Sequence, residues 1–540
     1  MSFFLPSLAG LSPINTFPGY HGPYSVGTVD VEIPVSELPA ASESPKDAVE
    51  TIAFRIFYPC KNPEKPGRPV RWIPQPQKET VSAFAKFLGA GNKLASLISW
   101  MPQQLYWIKL PAHRNADVLE PPTSSGRWPV TIFSHGLAGS RNTYSYICGD
   151  MASKGMVVVA MDHRDGSSPI QHVRATAGKP ARIIPTVKIP HTPCAETYEG
   201  RDAQLRTRLW EISTAYEALM KIDAGQAMEN LDENTSWSRK ERVEVLRRFE
   251  GLLDIHRPGK VSWAGHSFGA ATTVQLLKSI FYYQEKPSSA KKPLLVPNSD
   301  AAIVQQIMPE SPALLLDMWC LPFKSPDQRW LFDHPMPSYT PGGPNGDNIL
   351  SVLSEGFYKW QENRLATEKI IAGPCEGASR PTPTQTKLPP TLARLREDSP
   401  ASSARDSGYA SSATSASLSS PTTRSTRTPG PHNFYPLRSQ HFSQSDFGVL
   451  FPWVTKKFAH AEEPERIVEL NVRAMTQVMR EAGVEFAGED DMEILDTKKG
   501  ALRGWVPIGT TDDTRDEVMI EIGTQQAPRD VEAGAEGIEM

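Results

Sequence analysis

The chain has 540 residues, 39% of them hydrophobic, and carries 57 Lys and Arg against 61 Asp and Glu, a net charge of −4. That length and apolar content support one large core or two modest ones and place the chain in the ordinary globular class. Near-balanced charge gives no clustered basic footprint, so no nucleic-acid partner is expected.

At the amino terminus Phe3, Phe4, Leu5, Leu8 and Leu11 are apolar, but no basic stretch precedes them and Pro6 and Pro13 interrupt them. No secretory signal is expected. No run approaches 18 apolar residues and Ser2 offers no acceptor for myristate, so a cytoplasmic location is the expectation. The five cysteines, Cys60, Cys148, Cys194, Cys320 and Cys375, are scattered and lack zinc-site spacing. They read as reduced structural thiols, with no metal expected.

Val29, Val31 and Ile33 alternate with Asp30 and Glu32, and Ile52, Phe54, Ile56 and Tyr58 alternate with smaller or charged residues. This predicts an antiparallel entry hairpin. Val81 to Ile108 is rich in Phe84, Phe87, Trp100, Tyr106 and Trp107, with Lys86 and Lys93 interspersed. Two readings stand: core-packing helices, or a lipid-facing surface making peripheral membrane contact. From Pro129 the pattern becomes fully apolar runs, Pro129 to Phe133, Met156 to Met161, the run before Ser267, and Ala313 to Leu316. Runs apolar on both faces predict buried parallel strands, and helical periodicity over Asp202 to Ile222 supplies a crossover. The fold expected is therefore α/β, a mainly parallel doubly wound sheet with antiparallel N-terminal strands.

Residues 373–431 are dominated by Ser, Thr, Pro, Ala and Arg and cannot bury enough apolar surface to offset ordering entropy. A disordered insertion is expected there, splitting one catalytic domain into residues 1–372 and 432–520. Residues 521–540 read as a disordered acidic tail. Pro464 to Ala482 predicts an amphipathic helix closed by Gly483.

The chemistry centres on Val261-Ser-Trp-Ala-Gly-His-Ser267-Phe-Gly-Ala-Ala271, a GxSxG sequence where an apolar run turns into a helix. This is the pattern of the α/β-hydrolase nucleophile turn, in which the glycines admit close backbone approach and the serine hydroxyl projects above the sheet. A serine becomes reactive only with a base, a carboxylate that orients the base, and amides facing the oxyanion. In the hydrolase order the acid follows the serine, and Asp317 ends the next apolar run. Asp162 also ends a strand but precedes the serine, and is the alternative. Of the later histidines His334, His432, His441 and His460, His441 is favoured because the segment Asn433 to Arg438 can deliver it as a final edge strand. The amide of Phe268 and that of Leu137, in Phe133-Ser-His-Gly-Leu-Ala-Gly139, are the expected oxyanion donors.

Several segments together resemble the plasma and type II intracellular platelet-activating factor acetylhydrolases, the calcium-independent group VII phospholipase A2 family. They are Gly22-Pro-Tyr-Ser-Val-Gly27, Phe133-Ser-His-Gly-Leu137, His163-Arg-Asp165, Gly265-His-Ser-Phe-Gly269, Leu316-Asp-Met-Trp319, and Ser439-Gln-His441 with Asp446-Phe447. Order and spacing match over residues 20 to 480. The resemblance implies Ser267 as nucleophile, Asp317 as acid, His441 rather than His432 as base, and Leu137 and Phe268 as amide donors. It further implies an ester-bearing phospholipid as substrate, no cofactor, and no calcium. The chain departs from the family in the long insertion before His441 and in Ala270, where a third glycine is common. Two rival expectations remain: a carboxylesterase of small soluble esters, and a non-catalytic binding protein on the same fold.

Overall fold

The computed structural model describes residues 16–65, 67–87, 89, 91, 104–285, 293–373, 429–486, 493–495 and 503–509. Residues 374–428 of the expected insertion, 92–103 of the aromatic stretch, and the expected tail 521–540 lie outside the described residues.

Thirteen strands are described: β1 (Val26–Pro34), β2 (Thr51–Pro59), β3 (His113–Arg114), β4 (Trp128–Ser134), β5 (Val157–Met161), β6 (Ile170–Val173), β7 (Arg182–Pro185), β8 (Leu253–Asp254), β9 (Ser262–His266), β10 (Ala313–Leu316), β11 (Ile349–Val352), β12 (His432–Pro436) and β13 (Trp505–Pro507). The main sheet runs β13-β12-β11-β10-β9-β4-β5-β2-β1-β3, with β8 beside β4, while β6 and β7 form a separate hairpin. Pairing is parallel from β12 through to β5, and antiparallel where β5 meets β2 and β2 meets β1. This is the expected mainly parallel sheet with an antiparallel entry hairpin.

Burial on both faces follows from the apolar runs. Leu315 packs in one core layer with the helices Ala195–Asp223 and Phe268–Phe281, while Leu314 and Leu316 pack in the other with Ser145–Ser153 and Pro464–Glu481. Each such side chain contributes about 1.5–3 kcal/mol of transfer free energy. Chain order reverses between β4 and β9. β5 lies on one side of this point and β10 to β12 on the other, which opens a crevice at the carboxyl ends of β4 and β9. Both Ser267 and the Ser134-His-Gly-Leu137 loop start there.

Asp30 and Glu32 of the entry hairpin are both buried, because Arg55 and Arg174 reach them. One expectation changes. β12 is not the edge strand expected over 433–438, because β13 pairs antiparallel outside it. The aromatic stretch divides: Val81 and Ile108 are buried, whereas Trp107 is 69% exposed. Among the described residues no helix is long and apolar enough to cross a membrane.

Candidate active site

Ser267 links β9 to the helix Phe268–Phe281 with φ 58° and ψ −120°. A non-glycine residue held there costs about 1–3 kcal/mol, which surrounding structure must impose. It does so through contact. A Cβ on Gly265 would sit 2.3 Å from the Gly269 carbonyl oxygen, and one on Gly269 would sit 2.0 Å from that of Ser134. The Ser267 amide donates to the Leu316 carbonyl at 2.8 Å, and the Trp319 amide to the Ser267 carbonyl at 3.3 Å. These bonds lock the turn to the end of β10, where Asp317 follows.

Asp317 is fully buried. One carboxylate oxygen lies 2.9 Å from His441 Nδ1, across 124 residues of sequence, and the other accepts the Ser354 amide. Burial pushes its carboxyl up to about 6, opposed by the His266 ring and by the Ser354 amide. His441 opens a short 3-10 turn, His441–Gln444, whose entry is closed by a reciprocal Gln440–Ser443 cap. Its ring is clamped between Phe357, stacked at 4.5 Å and 9°, and His266 at 4.3 Å between centroids. The imidazole is thus held by aromatic faces as well as by the carboxylate.

The loop that follows β4 approaches Ser267 closely. A Cβ on Gly136 would lie 3.0 Å from both Ser267 Cβ and the Tyr144 hydroxyl. The Gly136 amide donates to that hydroxyl at 3.2 Å, and the hydroxyl lies 2.8 Å from His266 Nδ1. Phe268 begins its helix, where an N–H has no intrahelical acceptor. Among the described residues no protein acceptor takes the amide of Phe268 or of Leu137. The amide that follows Ser267 and the one that follows Gly136 therefore have no protein acceptor among the described residues.

Support comes from Arg208, which no motif marked. Arg208 donates to the His135 carbonyl at 2.6 Å, to Asp165 at 2.6 Å and to Ser167 Oγ at 2.7 Å, and its guanidinium lies 4.4 Å over the Phe268 ring. His135 accepts the His163 amide at Nε2, so its Nδ1 carries the proton and donates to the Gly136 carbonyl at 2.8 Å. Burial and the Arg208 charge draw its pKa down to about 3, keeping it neutral. Helical spacing marks Arg208 as lying on the crossover, but its partner His135 is 73 residues away.

The alternatives find other employment. Asp162 lies 3.5 Å from Arg141 and accepts Gln171 at 2.9 Å. His334 sits between the Trp330 carbonyl and Glu285, each at 2.7 Å. His432 is a buried residue of β12, and His460 ends the helix Pro452–Ala459 in a left-handed conformation. His266, Asp317 and His441 bring ligand-type atoms within 4.8 Å of one another. Within that group His441 Nδ1 bonds Asp317 and His266 Nδ1 bonds Tyr144, while His266 Nε2 has no hydrogen-bond partner among the described residues.

Beside Leu137 opens a cavity of about 690 Å³. Phe87 and Ala83 of the helix Gln77–Phe87, together with Ile170, Ile183 and Ile189, give it an apolar wall.

Residues 9–328 match the family described as platelet-activating factor acetylhydrolase, isoform II. That span includes Ser267 and Asp317, and His441 lies beyond it. A Schizosaccharomyces pombe protein named "Putative phospholipase A2" is 26% identical over 518 residues, covering 92% of this chain and 98% of the relative. The platelet-activating factor acetylhydrolase of Cavia porcellus is 31% identical over 268 residues, 48% of this chain and 52% of the relative. The chain thus spans about half the length of that animal relative. A solved ferulic acid esterase from Streptomyces cinnamoneus is 14% identical, with a TM-score of 0.44, over 91% of this chain and 98% of its own.

Proposed function

The chain belongs to the platelet-activating factor acetylhydrolase, isoform II, family, and from that premise we propose that it is a calcium-independent serine esterase removing the sn-2 acetyl or short, including oxidised, acyl group of a glycerophospholipid. His441, oriented by Asp317, takes the Ser267 proton as Oγ attacks the ester carbonyl. The tetrahedral oxyanion is held by the amides of Leu137 and Phe268. His441 then passes the proton to the departing lyso-phospholipid oxygen, leaving an acyl-serine. Water, deprotonated by the same imidazole, attacks that ester, the proton returns to Ser267, and the short acid leaves. Because amides stabilise the charge, calcium has no step to perform.

The observation that carries this reading is the 2.9 Å contact between Asp317 and His441, together with the strained turn at Ser267, whose amide donates to the carbonyl of Leu316, the residue before Asp317. The same geometry supports residues 1–372 and 432–520 as parts of one catalytic domain, since β11 and β12 pair across the intervening segment. The deciding experiment is hydrolysis of a matched sn-2 series, acetyl to palmitoyl, with p-nitrophenyl acetate alongside. Short-chain phospholipids should be preferred, and Ser267→Ala should lower kcat by about 10⁶. Retained activity in that variant overturns the mechanism. Exclusive turnover of the p-nitrophenyl ester would favour the small-ester carboxylesterase instead.

A further inference from the structure

Arg201 lies on the helix Ala195–Asp223, seven residues before Arg208, and forms part of the cavity wall next to Leu137. It is 3% exposed, so its charge is almost wholly removed from water. Its hydrogen bonds go to neutral groups: the Gln204 side chain at 2.8 Å, the Ile189 carbonyl at 3.1 Å and His191 Nδ1 at 3.1 Å. Its Nε has no partner. Among the described residues no carboxylate lies within ion-pair distance of it, and the nearby Asp165 is committed to Arg208 at 2.6 Å. Burial therefore draws the guanidinium pKa down to about 10, with Arg208 adding to the effect.

A buried cation without a counter-charge is costly unless something supplies one. Here the rest of the cavity rim repeats the bias: Lys78, Lys86 and Lys188 stand against Glu79. The guanidinium also lies 5.8 Å over the Phe268 ring and 5.2 Å over that of Trp319, which fixes it behind the nucleophile turn. We propose that this cavity receives the anionic part of the ester substrate, a phosphodiester or a carboxylate joined to the scissile ester by a short apolar span, with Arg201 as its counter-charge. This rests on the esterase reading of Ser267. The apolar wall accommodates the span, the rim lysines draw in the anion, and Leu137 connects the cavity to the oxyanion site.

The test compares three esters: p-nitrophenyl acetate, which is neutral; mono-p-nitrophenyl glutarate, which carries a carboxylate; and dihexanoylphosphatidylcholine, which carries a phosphodiester. In Arg201→Gln the ratio of kcat/KM for an anionic ester over the neutral one should fall at least about tenfold, through KM, and Arg201→Lys should restore most of it. Loss on the carboxylate arm alone places an acyl terminus in the cavity, and loss on the phosphodiester arm alone places the headgroup there. Equal losses on all three esters, or none, overturn the proposal. Should Arg201→Gln fail to fold, Ile183→Glu decides: the residue is 49% exposed, and a carboxylate there should lower the same ratio. An unchanged ratio overturns the proposal. Calorimetric binding of dihexanoylphosphatidylcholine to Ser267→Ala, with and without Arg201→Gln, separates the two readings. Wild-type protein that cleaves no ester refutes the esterase, whereas binding indifferent to Arg201 refutes the cavity assignment alone.

Discussion

At Gly269 the margin between the native turn and a broken one is a single methyl group. A Cβ would lie 2.0 Å from the Ser134 carbonyl oxygen and 2.8 Å from that of His135, both backbone atoms that cannot rotate away. Gly269→Ala should therefore push β4 and the oxyanion loop apart, with a loss of more than about 3 kcal/mol in a thermal or denaturant melt and a collapse of kcat. A variant with full activity would mean the loop yields more readily than its hydrogen bonds indicate. Asp317 makes a different prediction, in pH. Its carboxyl is raised to about 6 in the folded chain, above its unfolded value near 3.9, so it is protonated in the native protein below about 6. The proposed mechanism needs the carboxylate, so kcat/KM should rise through about pH 6. The stability sign is opposite. Between about 4 and 6 the folded state holds more protons here than the unfolded state, so this group stabilises the fold as pH falls through 6. Asp317→Asn should accordingly cost about 10⁴ in kcat while leaving the melting temperature at pH 7 unchanged or higher. A large drop in that temperature would mean the carboxylate holds the fold together instead.

Strand β13 is three residues long, yet it pairs along β12, the strand that precedes His441. The Leu437 amide donates to the Gly504 carbonyl and the Ile508 amide to that of Asn433, each at 2.8 Å, and Trp505 stacks on Phe434 at 5.0 Å. His441 follows β12 by five residues. Trp505→Ala should destabilise by about 3–5 kcal/mol and lower kcat together, read by melting and turnover on one preparation. A stability loss with unchanged kcat would detach the turn from the strand. This element was illegible in the sequence because three residues carry no periodicity and their partner is 70 residues earlier. By contrast β4, β5 and β10 could be read almost to the residue, since parallel strands buried on both faces appear as unbroken apolar runs. Asp317 was singled out because it ends such a run, and Ser267 because glycines flank it where a strand turns into a helix. His441 was less so, because nothing local distinguishes it from His432; the contact with Asp317 spans 124 residues. Arg201 and Arg208 read only as polar positions on a helix, their partners being loops far away in sequence.

Across the whole molecule, the antiparallel entry hairpin is joined to the parallel sheet by buried charge. Arg55, Arg141, Arg164 and Arg174 meet Asp30, Glu32, Asp162 and Asp232, drawn from β1, β2 and the segments after β4, β5, β6 and the helix Ala195–Asp223. The alternation of valine with acid in β1 resembles a half-wet strand, and only the arriving arginines reveal that both faces are covered. Arg141 is central, lying 2.5 Å from Asp232, 3.5 Å from Asp162 and 3.7 Å from Asp30, just after the oxyanion loop. Burial alone would raise these three carboxyls, but arginine charge holds each below the usual range. Arg141→Met keeps much of the volume and leaves Asp162 without an ion-pair partner among the described residues, which should cost about 3–5 kcal/mol at pH 7 and lower kcat/KM by loosening the loop. The sign of its pH dependence separates charge from packing. In the variant the uncompensated carboxyl rises above its unfolded value, so its folded state gains protons before the unfolded chain does as pH falls from 7 to 5. The variant should regain stability over that range relative to wild type, whose paired carboxylates stay ionised there. Melting curves of both proteins at pH 7 and 5 should therefore show the gap narrowing; a gap that stays constant would assign the loss to packing and hydrogen bonds, and would remove charge balance as the reason the two halves of the sheet hold together.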